Sequence, residues 1–126
     1  LQEKYKTTKS WLETSTKKTN TQHDNFINQT IQVIFKNLDN ASFNAFYLAR
    51  AMHLSESQLY RKLKALTNTS TALFIRKIRL EQAKKQLQTT QKSVSEVAYA
   101  TGFNDPSWFS KAFKEEFKIS PSDIRN

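Results

Sequence analysis

The chain has 126 residues with one Gly, two Pro and no Cys, and 20 Lys and Arg stand against 11 Asp and Glu, for a net charge of +9. The lack of Cys excludes disulfides, Cys-ligated zinc, iron–sulfur clusters and thiol nucleophiles, and the Gly deficit excludes Gly-rich phosphate loops and argues against turn-dense β folds. A basic surplus this large, in a chain with no run near the roughly 18 apolar residues of a membrane span, points to an anionic partner: nucleic acid, a lipid surface or an acidic protein.

Residues 1–22 read as a polar, poorly ordered lead-in or linker, with helix confined to about Tyr5–Glu13. The chain begins at Leu1 rather than Met, as a piece of a longer protein would. From Asp24, a first-turn acid, Phe26, Ile27, Ile31, Ile34, Phe35 and Leu38 recur at helical spacing and form one apolar face. A short helix follows from about Ala45 to Met52, N-capped by Asn44, with Phe46, Leu48, Ala49 and Met52 as its apolar side. After His53-Leu54, Ser55 and Gln58 have capping-box spacing, so a second helix starts near Glu56 and runs to about Leu66. Ser70 or Thr71 caps a long helix to about Leu87. Ser93 and Glu96 form a second capping box, and a short helix ends at Gly102. Asp105 caps a further helix that has Pro106 in its first turn and Phe109, Phe113 and Phe117 as its buried stripe. Ser120-Pro121 opens a last turn.

The two short-helix pairs repeat each other. Ala49 corresponds to Ala98 at an offset of 49, and Leu59, Leu63 and Lys64 correspond to Phe109, Phe113 and Lys114 at an offset of 50. The extra residue falls in the turn, where Gly102 suits a positive φ and His53 takes the matching place. This is the pattern of a helix-turn-helix, present twice, at about 44–66 and 93–117. A helix that reads bases needs a buried face to hold it and an outer face of donors in the major groove. Ser57, Tyr60, Arg61 and Lys64 supply that face in the first unit, and Ser107, Trp108, Lys111 and Lys114 in the second. Arg61 suits bidentate contact to guanine, and Trp108 suits a thymine methyl or sugar. The stretch Arg61–Lys85 holds eight basic residues and one acid, Glu81, and most of these cations suit phosphates or solvent, with Arg79 a candidate for helix packing. No catalytic group, metal site or cofactor site is legible. His23 and His53 are far apart, and Glu96 and Asp105 have capping roles. The competing reading is a basic helical module that binds protein or RNA.

The segments LARAMHLSESQLYRKLKALT, FIRKIRLEQAKKQL, VSEVAYATGFNDPSWFSKAFKEEF and SPSDIR resemble the DNA-binding domain of AraC-type transcription regulators, over residues 43–125. The resemblance implies an all-α fold of seven helices within 23–126: two helix-turn-helix subdomains joined by a long central helix at about 71–87. It also implies reading helices in successive major grooves, and base-reading roles for Ser57, Tyr60, Arg61, Pro106, Ser107, Trp108 and Lys111. The chain departs from the family at Asn68, Lys118 and Ile119, where Gly is common, and at Pro106, whose side chain donates no hydrogen bond. The implied setting is cytoplasmic transcription regulation, with activation as the output and duplex DNA and RNA polymerase as partners. The lead-in and the wording of the first unit resemble the output end of a hybrid two-component sensor–regulator, with a receiver or sensor domain upstream, a membrane anchor outside this segment and no membrane contact by the segment itself.

Overall fold

A computed structural model describes residues 22–125, so the lead-in helix expected at Tyr5–Glu13 lies outside the described residues. These residues form seven helices and no strand: α1 Gln22–Lys36, α2 Ala45–Ala51, α3 Glu56–Thr67, α4 Thr71–Thr89, α5 Val94–Ala100, α6 Pro106–Phe117 and α7 Pro121–Arg125. They divide into two compact units. From residue 22 on, unit 1 holds 22–37 and 43–78, and unit 2 holds 38–42 and 79 onward. Helix α4 serves both units, through Phe74, Ile75 and Ile78 in the core of unit 1 and Leu80, Ala83 and Leu87 in that of unit 2.

Local chemistry sets the helix starts. Asn44 accepts from the Tyr47 N–H at 3.2 Å and starts α2. Ser55 and Gln58 exchange bonds of 3.1 and 2.9 Å, a complete capping box on α3. Ser93 and Glu96 do the same on α5, at 3.0 and 2.7 Å. Asp105 accepts from the Ser107 N–H at 3.0 Å, with Pro106 at the first helical position, where its missing N–H costs nothing.

In unit 1, Ile27, Ile31 and Ile34 of α1 pack with Leu48, Ala49, Leu59 and Leu63. In unit 2, Val97, Ala98, Phe103, Phe109 and Phe113 pack with the second half of α4. Two positions differ from the sequence reading. Phe46 is 45% exposed, because a seven-residue helix turns only Leu48 and Ala49 inward, with Met52 behind them. Its ring meets Tyr47 edge-on at 5.2 Å, and Arg50 lies over it. Phe117 is only half-buried, with the Lys84 ammonium 5.0 Å from its ring centre.

The repeat is longer than the two helix pairs. The turns match bond for bond: His53 N–H to Arg50 O and Leu54 N–H to Ala49 O in unit 1, Gly102 N–H to Tyr99 O and Phe103 N–H to Ala98 O in unit 2. His53 has φ +60° and Gly102 φ +90°. The match runs backwards into the preceding helices, where buried Thr30, Ile31 and Ile34 correspond to buried Arg79, Leu80 and Ala83. It runs forwards too. Asn68 and Lys118 both end the second helix of a pair in the left-handed conformation, and Ser70 and Ser120 both cap the next helix, accepting at 3.2 and 3.1 Å. Each unit is therefore a supporting helix, a helix-turn-helix pair, a left-handed cap and the start of a further helix.

Candidate nucleic-acid interface

Helix α3 buries Leu59, Leu63 and Thr67. That fixes its roll and leaves Ser57, Arg61 and Lys64 exposed on successive turns of the outer face, with Tyr60 on one flank at 44% exposure. Helix α6 buries Phe109, Ala112 and Phe113. Its outer face carries Ser107, Lys111 and Lys114, all exposed, and Trp108 stands on a flank at 41% exposure. All eight residues singled out in the sequence therefore lie on the exposed surfaces of α3 and α6, four on each.

The two faces match at their centres and differ at their edges. At an offset of 50, Ser57, Arg61 and Lys64 correspond to Ser107, Lys111 and Lys114. Each face thus has a hydroxyl at the second helical position and cations one and two turns later. Tyr60, however, corresponds to Ser110, and Trp108 to Gln58. Pro106, also implied by the resemblance, is half-buried at the start of α6.

Beside α3 lies a groove lined by Glu56, Ser57, Tyr60 and Arg61, by Ser70, Thr71 and Ala72 at the start of α4, and by Ala45 of α2. Helix starts carry unpaired N–H groups and positive partial charge, and with Arg61 they favour an anionic oxygen, whereas the Glu56 carboxylate in the same lining opposes one. The sequence signals Ser70 as a cap but not its place beside Arg61, nine residues earlier in the chain.

Much of the basic stretch is already engaged. Lys62 stacks over the Phe26 ring at 5.0 Å and Lys84 over Phe117. Arg79 is 6% exposed, and its guanidinium donates to the carbonyls of Gly102 and Asn40 at 2.6 and 2.9 Å. Burial alone pushes its pKa down from the usual guanidinium value. Arg79 is therefore a packing residue.

Two helix-turn-helix units, each with a basic, hydroxyl-bearing face on its second helix, define a nucleic-acid-binding domain. The family profile described as a helix-turn-helix domain matches residues 48–126. The chain belongs to the AraC-type helix-turn-helix family of DNA-binding transcription regulators.

It is 30% identical to histidine kinase P4 of Formosa agariphila over 103 residues, 82% of this chain and 8% of that protein. It is 40% identical to the HTH-type transcriptional activator RhaS of Mannheimia succiniciproducens over 78 residues, 62% of this chain and 29% of that one. The chain thus spans less than a third of either relative. Among solved structures, it is similar to the C-terminal domain of AraT, a response regulator from Geobacillus stearothermophilus. The TM-score is 0.74 and the identity 26%, over 83% of this chain and 87% of that one. It is also similar to the DNA-binding domain of the global transcriptional factor AdpA in complex with a target DNA. Here the TM-score is 0.70 and the identity 26%, over 77% and 86% of the two chains. No described helix is long and apolar enough to cross a membrane.

Proposed function

We propose that this chain reads a specific duplex DNA sequence with two helices, α3 and α6, each set in its own major groove, and that it does so as the output segment of a longer regulator. The observation that carries the reading is the matched pair of faces, Ser57/Arg61/Lys64 and Ser107/Lys111/Lys114, on helices rolled by buried Leu59 and Leu63 and by Phe109 and Phe113. A major groove admits one such helix. Two of them read two short blocks of bases, and the resemblance sets these about one helical turn apart. Lys64, Lys85 and Lys114, all exposed, supply sequence-independent attraction to phosphates.

Activation is the output that fits the name of the RhaS relative, with RNA polymerase as the further partner. A histidine kinase and a response regulator among the similar proteins support an upstream receiver or sensor in the same longer chain. Such a segment works where the DNA is, in the cytoplasm, whatever anchors the rest.

Selection from a random duplex library at physiological salt tests the reading. Two enriched blocks about one turn apart support it. A single block restricts base reading to one unit. Equal binding to selected and scrambled duplex, or preference for single-stranded RNA, rejects it.

A further inference from the structure

Arg79 lies on α4, is buried and belongs to unit 2. Two of its hydrogen bonds join parts of the chain that are far apart in sequence. Nη1 donates to the Gly102 carbonyl in the turn of the second helix-turn-helix, at 2.6 Å. Nη2 donates to the Asn40 carbonyl in segment 38–42, at 2.9 Å. That segment follows α1 in the chain but belongs to unit 2.

The matching site in unit 1 is built differently. There the corresponding residue is Thr30, whose hydroxyl lies 2.8 Å from the Phe26 carbonyl and 3.4 Å from Met52 Sδ. Met52 corresponds to Thr101, one residue before the turn. The supporting helix of unit 1 thus meets its turn through a small side chain, and the turn carries His53. In unit 2 the supporting helix sends a guanidinium into the turn, and the turn carries the only Gly in the chain. A Cβ on Gly102 would overlap Arg79 Nη1, and it would come within 2.5 Å of both Arg79 Cζ and the Leu38 carbonyl oxygen. The lone Gly therefore answers two demands, a φ of +90° and the room that Arg79 and segment 38–42 occupy. The turn sets the angle between the two helices of the pair, and with it where Ser107, Trp108 and Lys111 point.

We infer that Arg79 is a positioning residue for base reading by the second unit, holding the turn before α6 through the Gly102 carbonyl and tying that turn to segment 38–42. The inference rests on the proposed reading of duplex DNA by α3 and α6. It assigns the two units different devices for the same task, a guanidinium clamp in unit 2 and close apolar packing around Thr30 in unit 1.

The experiment uses the duplex selected by the wild-type chain and measures affinity for every single-base variant of both blocks. The block of the second unit is the one where Trp108→Ala with Lys111→Ala removes discrimination. Arg79→Leu keeps apolar bulk and loses the bonds to Gly102 and Asn40, and Arg79→Lys keeps the charge on a single nitrogen that lacks the two-pronged reach of the guanidinium. The expected result is at least a tenfold loss of discrimination in the second block for Arg79→Leu, partial recovery in Arg79→Lys, and less than a twofold change in the first block. A purely structural role predicts a fall in melting temperature with both blocks weakened in proportion, and that result overturns the inference. So does unchanged discrimination in the second block. If Arg79→Leu does not fold, Arg79→Lys decides alone, because loss of the fork that bridges Gly102 and Asn40 must still weaken the second block selectively. A wild-type chain that selects one block or none removes the inference with its premise, whereas a two-block site indifferent to Arg79 removes the inference and leaves the proposed function standing.

Discussion

Arg61 and Lys111 occupy matching positions on matching faces, yet their chemistry differs. A guanidinium presents a flat fork that fits two acceptors of one guanine, whereas an ammonium is a point charge on a flexible stem. Arg61→Ala is therefore expected to cost roughly 1–3 kcal/mol, concentrated at one base pair. Competition binding with single-base variants reads this directly. A loss spread evenly over all duplexes places Arg61 on a phosphate in the groove beside Ser70 instead. Gly102 is the other residue whose identity is forced. Gly102→Ala puts a Cβ at φ +90° against Arg79 and the Leu38 carbonyl, and roughly 2–4 kcal/mol of stability should be lost in a denaturant melt. The sequence places Gly102 correctly at the end of a helix, but it does not reveal the second demand. The guanidinium comes from a residue 23 positions earlier, and no local pattern announces such a contact.

At the scale of elements, the two capping boxes share geometry and differ in charge. Gln58 closes the first and Glu96 the second. The Ser93 N–H and hydroxyl, with some help from Lys92, hold the Glu96 carboxyl below its ordinary 4.5. A depressed pKa in the fold contributes stability that is complete above the ordinary carboxylate value and is lost as pH falls through the lower, folded one. The start of α5 should therefore weaken below about pH 4.5, while the start of α3 keeps its neutral amide acceptor. In melts from pH 7 to pH 3, Glu96→Gln should remove this part of the acid dependence, and an unchanged profile in that variant rejects the assignment. Lys118 offers a second element-scale test. It ends α6 at φ +63°, where a side chain costs roughly 1–2 kcal/mol that Gly does not incur. Part of that gain is lost to the greater freedom of Gly in the unfolded chain, so Lys118→Gly should stabilise by about 0.5–1 kcal/mol. Caps, turns and buried stripes were legible in the sequence because each is decided within four residues. Phe46 was misread for the same reason: periodicity shows that a face is apolar, not that a partner covers it. The correspondence of Thr30 with Arg79 stayed hidden because the two side chains share only a location.

For the whole molecule, the charge surplus is unevenly divided. From residue 22 on, unit 1 carries seven Lys and Arg against two acids, and unit 2 carries eight against seven. The units thus differ in acids rather than in cations. Glu115 and Glu116 follow Lys114 directly on α6, whereas Ala65 and Leu66 hold the matching places on α3. A phosphate approaching α6 meets cations already partly compensated, and one approaching α3 does not. Each phosphate neutralised contributes about 0.9 to the slope of log affinity against log salt, so six to eight contacts give a slope of about −5 to −7. The matching cations at the far ends of the two faces, Lys64 and Lys114, should not contribute equally to it. Removing Lys64 should flatten the slope by about 0.9, the full value for one phosphate contact. Removing Lys114 should flatten it by about half as much, because the neighbouring carboxylates partly neutralise it and fewer counter-ions leave the DNA. Titrations of the selected duplex from about 50 to 200 mM salt separate these values. Equal flattening by the two would show that Glu115 and Glu116 lie too far from the phosphates to matter, and that the surplus of unit 1 serves no purpose at the contact itself.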